Sequence, residues 1–318
     1  MLAWLFPGQG SQAVGMGCDV SAAVPAAREV FERADEALGM PLSRLCFEGP
    51  ESELRRTEIQ QPAILTTSVA LLRALEAELG AKCRPAFVGG HSLGEYTALV
   101  ASGALGFEDA VQLVALRGRF MQEAVPEGRG AMAAVLGAPA QVVEEACREA
   151  SARSGGVVTP AGYNAPEQIS IAGHREAVTR ACELALEAGA RRAVPLEVSA
   201  PFHCPLMAPA AEKLDAELAA VSFAEPDPPV VTNVEAAPNR RGDRIRELLR
   251  RQVTEPVRFV AMVRALRELG VTRVIEVGPG RVLSGLVGRI DRELARANLS
   301  SASALPAAAE FVREATGS

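Results

Sequence analysis

The stretch Phe87-Val88-Gly89-Gly90-His91-Ser92-Leu93-Gly94-Glu95-Tyr96 constrains the fold of this chain more than any other. An apolar run ends in two glycines, a serine follows in a Gly-x-Ser-x-Gly motif, and an apolar helical pattern then continues to Gly103. This order predicts a strand, a sharp turn and a helix, which is the setting of a nucleophile elbow. Ser92 would lie at the tip, where free N–H groups and the helix dipole favour a developing negative charge. A glycine-rich turn with a capping serine is the alternative that the motif alone leaves open.

Composition limits the class of protein. The 318 residues suffice for one large domain, or for a large domain with a smaller insert. A net charge of -6 gives no general attraction to nucleic acid. The six cysteines are scattered without a C-x-x-C pair, which argues against a zinc site and a disulfide framework. The N-terminus lacks a basic segment and no apolar run could span a bilayer, so we expect a soluble cytoplasmic protein without a membrane partner.

Strand and helix patterns alternate along the chain and predict an α/β fold with a mostly parallel sheet. From about residue 129 to 199 the order is strand–helix–strand–strand–helix–strand, as in a ferredoxin-like unit. We therefore expect a catalytic core of residues 1–128 and 200–295, an inserted subdomain of residues 129–199, and a loosely held C-terminal tail of residues 296–318. Residues 41–53 are expected to form a loop with one short turn. Helices are expected from about Gln61 to Leu79 and from Arg240 to Gln252.

A serine hydroxyl becomes a strong nucleophile only when a base takes its proton, and the chain has three histidines. His174 begins a helix of the predicted insert. His91 adjoins the serine in a tight turn where neighbouring side chains point apart, so we expect it to be a structural hydrogen-bonding residue. His203 lies in a proline-bounded loop where the core resumes, and by elimination it is the candidate base. The group that orients it stays open: a backbone carbonyl or amide, or the carboxylate of Asp215, Glu225, Asp227, Glu276 or Asp291.

Arg117 falls in the middle of the apolar face of a helix that begins near Phe107, whereas Arg119 points away from that face. A buried guanidinium stays charged and needs an anionic partner. That partner is either an internal Asp or Glu or the carboxylate of a substrate, which an arginine can hold with two hydrogen bonds. The loop from Pro7 to Gln12 carries two amides on a glycine-rich backbone, and it suits either hydrogen-bond donation or a plain turn.

Together these residues resemble the malonyl-CoA:acyl carrier protein transacylase family, over nearly the whole chain from Phe6 to about Gly288. Seven stretches match in order: Phe6-Pro7-Gly8-Gln9-Gly10-Ser11-Gln12, Gly90-His91-Ser92-Leu93-Gly94-Glu95-Tyr96, Arg117-Gly118-Arg119-Phe120-Met121-Gln122, Tyr163-Asn164-Ala165-Pro166, Phe202-His203, Gln252-Val253-Thr254-Glu255-Pro256-Val257 and Glu276-Val277-Gly278-Pro279-Gly280. The resemblance implies an α/β-hydrolase-like core with a ferredoxin-like insert. It also implies ping-pong transfer through an acyl-serine.

The resemblance assigns a role to each candidate residue. Ser92 resembles the nucleophile, His203 the general base, and Gln252 the residue whose backbone carbonyl orients that base. The oxyanion hole would comprise Gln9 and the backbone N–H of Leu93. Arg117 resembles the residue that pairs with the malonyl carboxylate, in place of an internal acid. The substrate-binding residues would include Arg117, Phe202, Asn164 and His91.

The resemblance makes malonyl-CoA the donor and holo acyl carrier protein the acceptor, with no cofactor besides the coenzyme A thioester. It also implies a monomer. A leucine after the nucleophile and a phenylalanine before the base resemble the malonyl-selecting pattern of polyketide acyltransferases, because the bulky Phe202 would crowd a methyl on the malonyl α-carbon. Stand-alone fatty-acid members often carry a smaller residue there. We expect a role in fatty-acid biosynthesis, with a discrete acyltransferase of a polyketide synthase as the alternative.

Two rival classes share parts of this pattern. A serine thioesterase would share the elbow and the base, but it has no need for Arg117 if its acyl groups are neutral. A non-catalytic interaction subunit is disfavoured because both Ser92 and His203 are present. The arginines from Arg240 to Arg251 would steer an acidic carrier protein, bind coenzyme A phosphates, or form an ordinary solvated face. Arg191 and Arg192 are weaker candidates for the same role.

Overall fold

The computed structural model describes residues 1–80 and 84–316, and strands alternate with helices along this length. The first part comprises β1 (Leu2–Phe6), α1 (Cys18–Ala23), α2 (Pro25–Leu38), α3 (Leu42–Glu48), α4 (Glu51–Leu54), α5 (Thr57–Leu79), β2 (Phe87–Gly90), α6 (Gly94–Ala101) and α7 (Phe107–Glu123). The middle part comprises β3 (Gly130–Leu136), α8 (Ala140–Ser154), β4 (Val158–Ala165), β5 (Gln168–His174), α9 (Arg175–Glu187) and β6 (Arg192–Pro195). The last part comprises α10 (Ala208–Ala219), β7 (Val230–Val231), β8 (Pro238–Asn239), α11 (Ile245–Thr254), α12 (Phe259–Glu268), β9 (Arg273–Val277), α13 (Val282–Ile290), β10 (Ala295–Leu299) and α14 (Leu305–Thr316).

The larger sheet has the strand order β10-β9-β1-β2-β7-β8, and only β8 runs antiparallel to its neighbour. Strands β1 and β2 are buried along their whole length because helices cover both faces of the sheet. The predicted α/β fold with a mostly parallel sheet is therefore confirmed. Both β1 and β2 end at the edge where the Gln9 loop and the serine turn begin.

The smaller sheet is antiparallel, with the order β4-β5-β3-β6. Helices α8 and α9 pack on it around an aliphatic core that includes Val135, Ile169 and Ile171. The element order from β3 to β6 is the strand–helix–strand–strand–helix–strand order that the periodicity predicts. The division into a core of residues 1–128 and 200–295 and an insert of residues 129–199 stays a prediction.

The C-terminal segment is ordered, and the expectation of a loosely held tail is wrong. Strand β10 pairs in parallel with β9 and extends the larger sheet by one strand. Helix α14 packs against α5 and buries Ala308, Ala309 and Val312 in the main core. Alanine gives a weak apolar signal in the sequence, yet its small side chain lets a helix approach its neighbour closely. Residues 317 and 318 lie outside the described residues.

Residues 41–53 also differ from the expected loop, because they contain α3 and the start of α4. Leu42 and Cys46 lie one helical turn apart and both are fully buried. Helix α5 begins at Thr57, four residues before the predicted start at Gln61. Its first turns are polar and contain Pro62, which hides the helical pattern even though these side chains are buried.

The helix expected from Arg240 begins instead at Ile245. The side chain of Asn239 bonds both the N–H and the carbonyl of Arg241, which holds the preceding residues in a turn. The arginines nearby are largely paired within the chain: Arg244 with Glu235, Arg246 with Asp215, and Arg251 with Glu255. Over the parts of the chain that the structure describes, no helix is both long enough and apolar enough to cross a membrane.

Candidate active site

Two glycines make the turn that carries Ser92. Strand β2 ends at Gly90, α6 begins at Gly94, and Ser92 between them has a φ of 53°. A Cβ on Gly90 would lie 2.2 Å from the carbonyl of Gly94, and a Cβ on Gly94 would lie 2.0 Å from the carbonyl oxygen of Phe6. Side chains are excluded at both positions, so the strand and the helix meet closely enough to push Ser92 into a strained conformation.

The amide of Asn233 holds this turn. Its Oδ1 accepts a hydrogen bond from the N–H of Ser92 at 2.6 Å, and its Nδ2 donates to the carbonyl of Gly90 at 2.7 Å. Asn233 is fully buried in the loop after β7. One side chain thus clamps the residue before the turn and the serine itself, which offsets the cost of the strained backbone.

His203 lies against the serine. Its Nε2 is 2.6 Å from Ser92 Oγ, and its Nδ1 is 2.7 Å from the backbone carbonyl oxygen of Gln252. A carbonyl only accepts hydrogen bonds, so Nδ1 carries the proton and Nε2 is left to accept one from the serine. The orienting group is therefore a backbone carbonyl, and the five carboxylates considered from the sequence are not in this position.

The environment keeps His203 neutral. Burial lowers the pKa of His203 to about 3, and the positive charge of Arg117 acts in the same direction. A neutral imidazole whose Nε2 faces a serine hydroxyl is suited to act as a general base.

Arg117 is fully buried whereas Arg119 is exposed, as the helical periodicity predicts. Its Nη2 donates to Ser92 Oγ at 3.1 Å and to Gln252 Oε1 at 3.1 Å, and its Nη1 donates to Gln61 Oε1 at 2.6 Å. The ring of Tyr96 lies 5.5 Å from the guanidinium carbon. None of the ion pairs among the described residues involves Arg117. A positive charge is thus aimed at the serine without an internal carboxylate in contact.

The Gln9 loop presents its backbone, not its side chain, to the site. Gln9 Nε2 donates to Thr57 Oγ1 and to Gln60 Oε1, both at 2.6 Å, so both of its hydrogens are engaged. The backbone N–H groups of Gln9 and Leu93 make no hydrogen bond within residues 1–80 and 84–316. These two N–H groups are the donors left for an oxyanion.

A cavity of about 380 Å³ opens onto the serine and the histidine. Residues of the smaller sheet and of the loops that follow β1 and β2 are among those that line it: Gln9, Gly10, Gln12, Arg55, Gln60, His91, Ser92, Met132, Ala161, Asn164, Ser170, Leu196, Glu197, Val198, Ser199, Phe202 and His203. Arg117 lies beyond the serine and outside this lining. The cavity therefore reaches the nucleophile between the parallel sheet and the antiparallel one.

The residues expected to bind the substrate do not all line the cavity: His91, Asn164 and Phe202 do, and Arg117 does not. His91 Nε2 is 2.7 Å from Asn164 Oδ1 on β4, so this pair joins the serine turn to the smaller sheet. Phe202 is on the cavity wall, whereas the side chain of Leu93 is fully buried in the main core and only its backbone faces the site. His174 lies at the start of α9, where its Nδ1 accepts the N–H of Val157 at 2.9 Å.

Three residues of the site were assigned no role from the sequence. The serine and its partners are contacted by Asn233, Gln61 and Glu95, which come from three separate parts of the chain. Of these three, only Glu95 lies in the serine motif. Glu95 is 2% exposed, and its Oε2 accepts hydrogen bonds from Gln252 Nε2 at 2.7 Å and from the N–H of Asn233 at 3.1 Å. Within the described residues, no group of three or more His, Cys, Asp and Glu residues is placed to hold a metal ion.

Comparison with known proteins places this geometry in a family. The acyl transferase domain model matches residues 3–308. Malonyl CoA-acyl carrier protein transacylase of Escherichia coli (strain K12) is 50% identical over 309 residues, which cover 97% of this chain and 99% of the relative. The protein of the same name from Bacillus subtilis (strain 168) is 48% identical over 313 residues, which cover 98% of both chains.

Solved structures agree with these relatives. An acyl carrier protein S-malonyltransferase from Vibrio cholerae O1 biovar eltor str. N16961 superposes with a TM-score of 0.93 at 44% identity, covering 96% of this chain and 99% of the other. A malonyl-transacylase in complex with its type II PKS acyl-carrier protein superposes with a TM-score of 0.94 at 44% identity. The match covers 97% of this chain and 99% of that protein.

Proposed function

The chain belongs to the acyl transferase family as one of its malonyl CoA-acyl carrier protein transacylases, and we propose that its serine site carries the malonyl group in this transfer. It is an acyltransferase that moves a malonyl group from malonyl-CoA to the phosphopantetheine thiol of an acyl carrier protein, which supplies extender units for fatty-acid biosynthesis. One observation carries the assignment of the site. Ser92 Oγ lies 2.6 Å from Nε2 of the neutral His203 and 3.1 Å from Nη2 of the buried Arg117.

In the first half of the reaction, Ser92 Oγ attacks the thioester carbonyl of malonyl-CoA while His203 Nε2 takes its proton. The backbone N–H groups of Gln9 and Leu93 stabilise the oxyanion that forms. The carbon–sulfur bond then breaks, and the histidine returns the proton to the sulfur of coenzyme A. A malonyl-serine ester remains.

In the second half, the phosphopantetheine thiol of the carrier protein attacks this ester. His203 takes the thiol proton and returns it to Ser92 Oγ as the carbon–oxygen bond breaks. The carbonyl oxygen of Gln252, 2.7 Å from Nδ1, stabilises the histidine while it is charged in each half. No carboxylate is needed for this orientation.

Arg117 gives the site its preference for a malonyl group. In a malonyl group, one CH₂ separates the free carboxylate from the carbonyl carbon that Ser92 attacks. Arg117 already donates a hydrogen bond to the serine oxygen, so it lies close to this carboxylate. The carboxylate takes up the guanidinium donors as a charge-assisted pair. A thioesterase for neutral acyl groups would gain nothing from this buried charge, so the arginine supports malonyl transfer over hydrolysis.

The remaining assignments concern substrate contacts and the carrier. Phe202 on the cavity wall limits the room for a methyl on the malonyl α-carbon, and His91 with Asn164 forms the polar side of the cavity. One extra methyl is worth only about 1–3 kcal/mol in such a pocket. A role in polyketide synthesis is the second candidate, because one structural relative binds a type II PKS acyl-carrier protein.

We also propose that the protein works as a cytoplasmic monomer, that it uses no cofactor besides the coenzyme A of its substrate, and that it has no nucleic-acid or membrane partner. Its net charge of -6 supports the absence of a nucleic-acid partner. Light scattering during size-exclusion chromatography tests the monomer, and a mass near twice 33.4 kDa would contradict it.

Intact-protein mass spectrometry after brief mixing with malonyl-CoA tests the mechanism. We expect a malonyl adduct that is absent in Ser92→Ala, persists in buffer, and disappears when a holo acyl carrier protein is added. An adduct that water removes at the same rate without the carrier would indicate a hydrolase. No adduct from any acyl-CoA would refute the catalytic assignment. Rates with fatty-acid and polyketide carrier proteins separate the two pathways.

A further inference from the structure

Glu95 is a carboxylate that the proposed transfer does not use, although the fold buries it three residues after the nucleophile. Both of its hydrogen bonds are accepted by one oxygen, Oε2, from Gln252 Nε2 at 2.7 Å and from the N–H of Asn233 at 3.1 Å. Burying a carboxylate is costly unless its charge is offset nearby. The position of this offsetting charge indicates what Glu95 does.

One amide separates Glu95 from Arg117. Gln252 Nε2 donates to Glu95, while Oε1 of the same amide accepts from Arg117 Nη2 at 3.1 Å. An ionised carboxylate can only accept hydrogen bonds, so it fixes the amide with its nitrogen toward Glu95 and its oxygen toward the guanidinium. The hydrogen bonds therefore connect a buried anion to the buried cation that faces the serine.

We propose that Glu95 is a specificity-determining residue: its buried charge offsets that of Arg117, lowers the affinity of the site for the malonyl carboxylate, and couples malonyl binding to proton uptake by Glu95. This inference rests on the proposed role of Arg117. With malonate bound, two carboxylates share one guanidinium. Like charges disfavour ionisation, so the proton on Glu95 is held more tightly in the malonyl complex than in the free protein.

The expected direction with pH follows from this competition. Burial raises the pKa of Glu95 to about 7, although the hydrogen bonds from Gln252 and Asn233 and the charge of Arg117 lower it in part. Below that pH Glu95 is neutral, and the malonyl carboxylate binds an Arg117 whose positive charge is not offset by Glu95. As the pH rises through about 7 and above, Glu95 ionises and malonyl affinity falls.

The other titratable groups of the site keep one charge state through this range. Burial lowers the pKa of His203 to about 3 and also lowers the pKa of His91, so both imidazoles stay neutral above pH 7. Burial raises the pKa of Tyr96 to about 12. Arg117 stays charged. A change in malonyl affinity near neutral pH therefore reports on Glu95.

The test measures binding of malonyl-CoA and acetyl-CoA to Ser92→Ala by calorimetry, from about pH 6 to about pH 9. The two ligands share coenzyme A, so titration of its phosphates cancels in the ratio of the two dissociation constants. We expect the preference for malonyl-CoA to fall about fivefold or more as the pH rises. In Ser92→Ala with Glu95→Gln, the preference should stay high and independent of pH, because an amide oxygen still accepts both hydrogen bonds but carries no charge.

Calorimetry in buffers of different ionisation enthalpy supplies a second measurement that needs no change at Glu95. Ser92→Ala should take up protons on binding malonyl-CoA near pH 7 and more of them than on binding acetyl-CoA. Glu276→Gln is the matched control, because Glu276 is 1% exposed and its carboxylate accepts hydrogen bonds from the N–H groups of Leu283 and Ser284 at the start of α13. In the Ser92→Ala background it should leave the malonyl preference and its pH dependence unchanged.

Equal proton uptake for the two ligands would overturn the proposal. So would an equal loss of affinity for both ligands in Glu95→Gln, which would indicate a structural role. Arg117→Ala separates this failure from that of the proposed function. If the malonyl preference survives without Arg117, the carboxylate assignment itself is wrong; if it is lost there but does not respond to Glu95→Gln, only the inference about Glu95 fails.

Discussion

Within residues 1–80 and 84–316 no carboxylate forms an ion pair with Arg117, so its removal should affect most an acyl group that carries a carboxylate. We predict that Arg117→Ala lowers kcat/KM for malonyl transfer by roughly 30-fold or more, which corresponds to losing about 2 kcal/mol of a buried charge-assisted contact. Acetyl transfer should change far less. Steady-state assays with both acyl-CoA donors measure this ratio. Arg119→Ala is the control, because Arg119 is exposed on the same helix; an equal loss for both donors would contradict the role of Arg117.

Neutral His203 predicts the pH dependence of the acylation step. Because burial lowers the pKa of His203 to about 3, the base is already deprotonated at pH 5. The rate of acyl-enzyme formation from acetyl-CoA should therefore be nearly constant from about pH 5.5 to about pH 8, with no fall near the ordinary histidine value of about 6.5. Acetyl-CoA is the right donor because it lacks the carboxylate that competes with Glu95. Rapid-quench measurements give this rate. A rate that falls to half near pH 6.5 would show that the histidine titrates normally.

The same pKa has a consequence for stability. Below about pH 6.5 the unfolded chain protonates this histidine while the folded protein does not, so the free energy of unfolding falls as the pH falls toward about 3. The effect of Glu95 is opposite in sign. Burial raises the folded pKa of Glu95 from an ordinary value of 4.5 to about 7, so the folded protein holds this proton over a pH range where the unfolded chain has lost it. The free energy of unfolding therefore falls as the pH rises from about 4.5 to about 7.

At the residue scale, the sequence led to Ser92, His203 and Arg117 because each stands in a local pattern: an elbow motif, a short supply of histidines, and a charge on an apolar face. The residues alone could not single out the group that orients the histidine, since every residue has a backbone carbonyl. The family resemblance pointed to Gln252, and its carbonyl oxygen lies 2.7 Å from His203 Nδ1. Asn233 and Gln61 were missed for a related reason. Their amides lie 141 and 56 residues from their partners in the chain, and an isolated amide has no local signature of its task.

At the scale of elements, the close approach of β2 and α6 makes a prediction for glycine. Gly94→Ala would place its Cβ 2.0 Å from a backbone oxygen of β1, and backbone cannot move aside as a side chain can. We expect a loss of about 1–3 kcal/mol in the free energy of unfolding and a fall of about 10²-fold in acylation, because the elbow must shift.

Gly285→Ala is the matched control for this change. Gly285 lies inside α13, and a Cβ there meets nothing within 4 Å. Replacing it should leave acylation unchanged and stabilise the protein by up to about 1 kcal/mol, since alanine is the better helix former. Urea denaturation and adduct formation measured on both variants decide the matter; similar effects at the two glycines would show that close packing at the elbow is not the cause.

The elements that the sequence predicted well are those with strong periodicity. The strand–helix–strand–strand–helix–strand order of residues 129–199 was predicted because its buried strands and amphipathic helices have clear periodicity. The start of α5 was missed because its buried residues are polar: Thr57, Gln60 and Gln61 face Gln9 and Arg117 instead of the core. Polar residues placed inside for function break the pattern on which helix prediction depends.

At the scale of the whole molecule, the C-terminal segment adds the edge strand β10 to the larger sheet and covers α5, the helix that supports both Gln9 and Arg117. Its alanine-rich sequence gave no sign of this, because the contacts that order it are made with residues far earlier in the chain. The site therefore depends on residues from both ends of the chain. The packing of α14 offers the direct check.

Ala309 is fully buried in α14, and its neighbour Glu310 is exposed on the same helix. Because α14 packs on α5, Ala309→Arg forces an unpaired charge into the core and should lower the free energy of unfolding by about 3 kcal/mol or more. Glu310→Arg should change it by no more than about 0.5 kcal/mol. Urea denaturation of the two variants makes the comparison with the same side chain introduced one residue apart. A loosely held tail would tolerate arginine equally at both positions. Equal effects of the two substitutions would therefore contradict the packing of α14 in the main core.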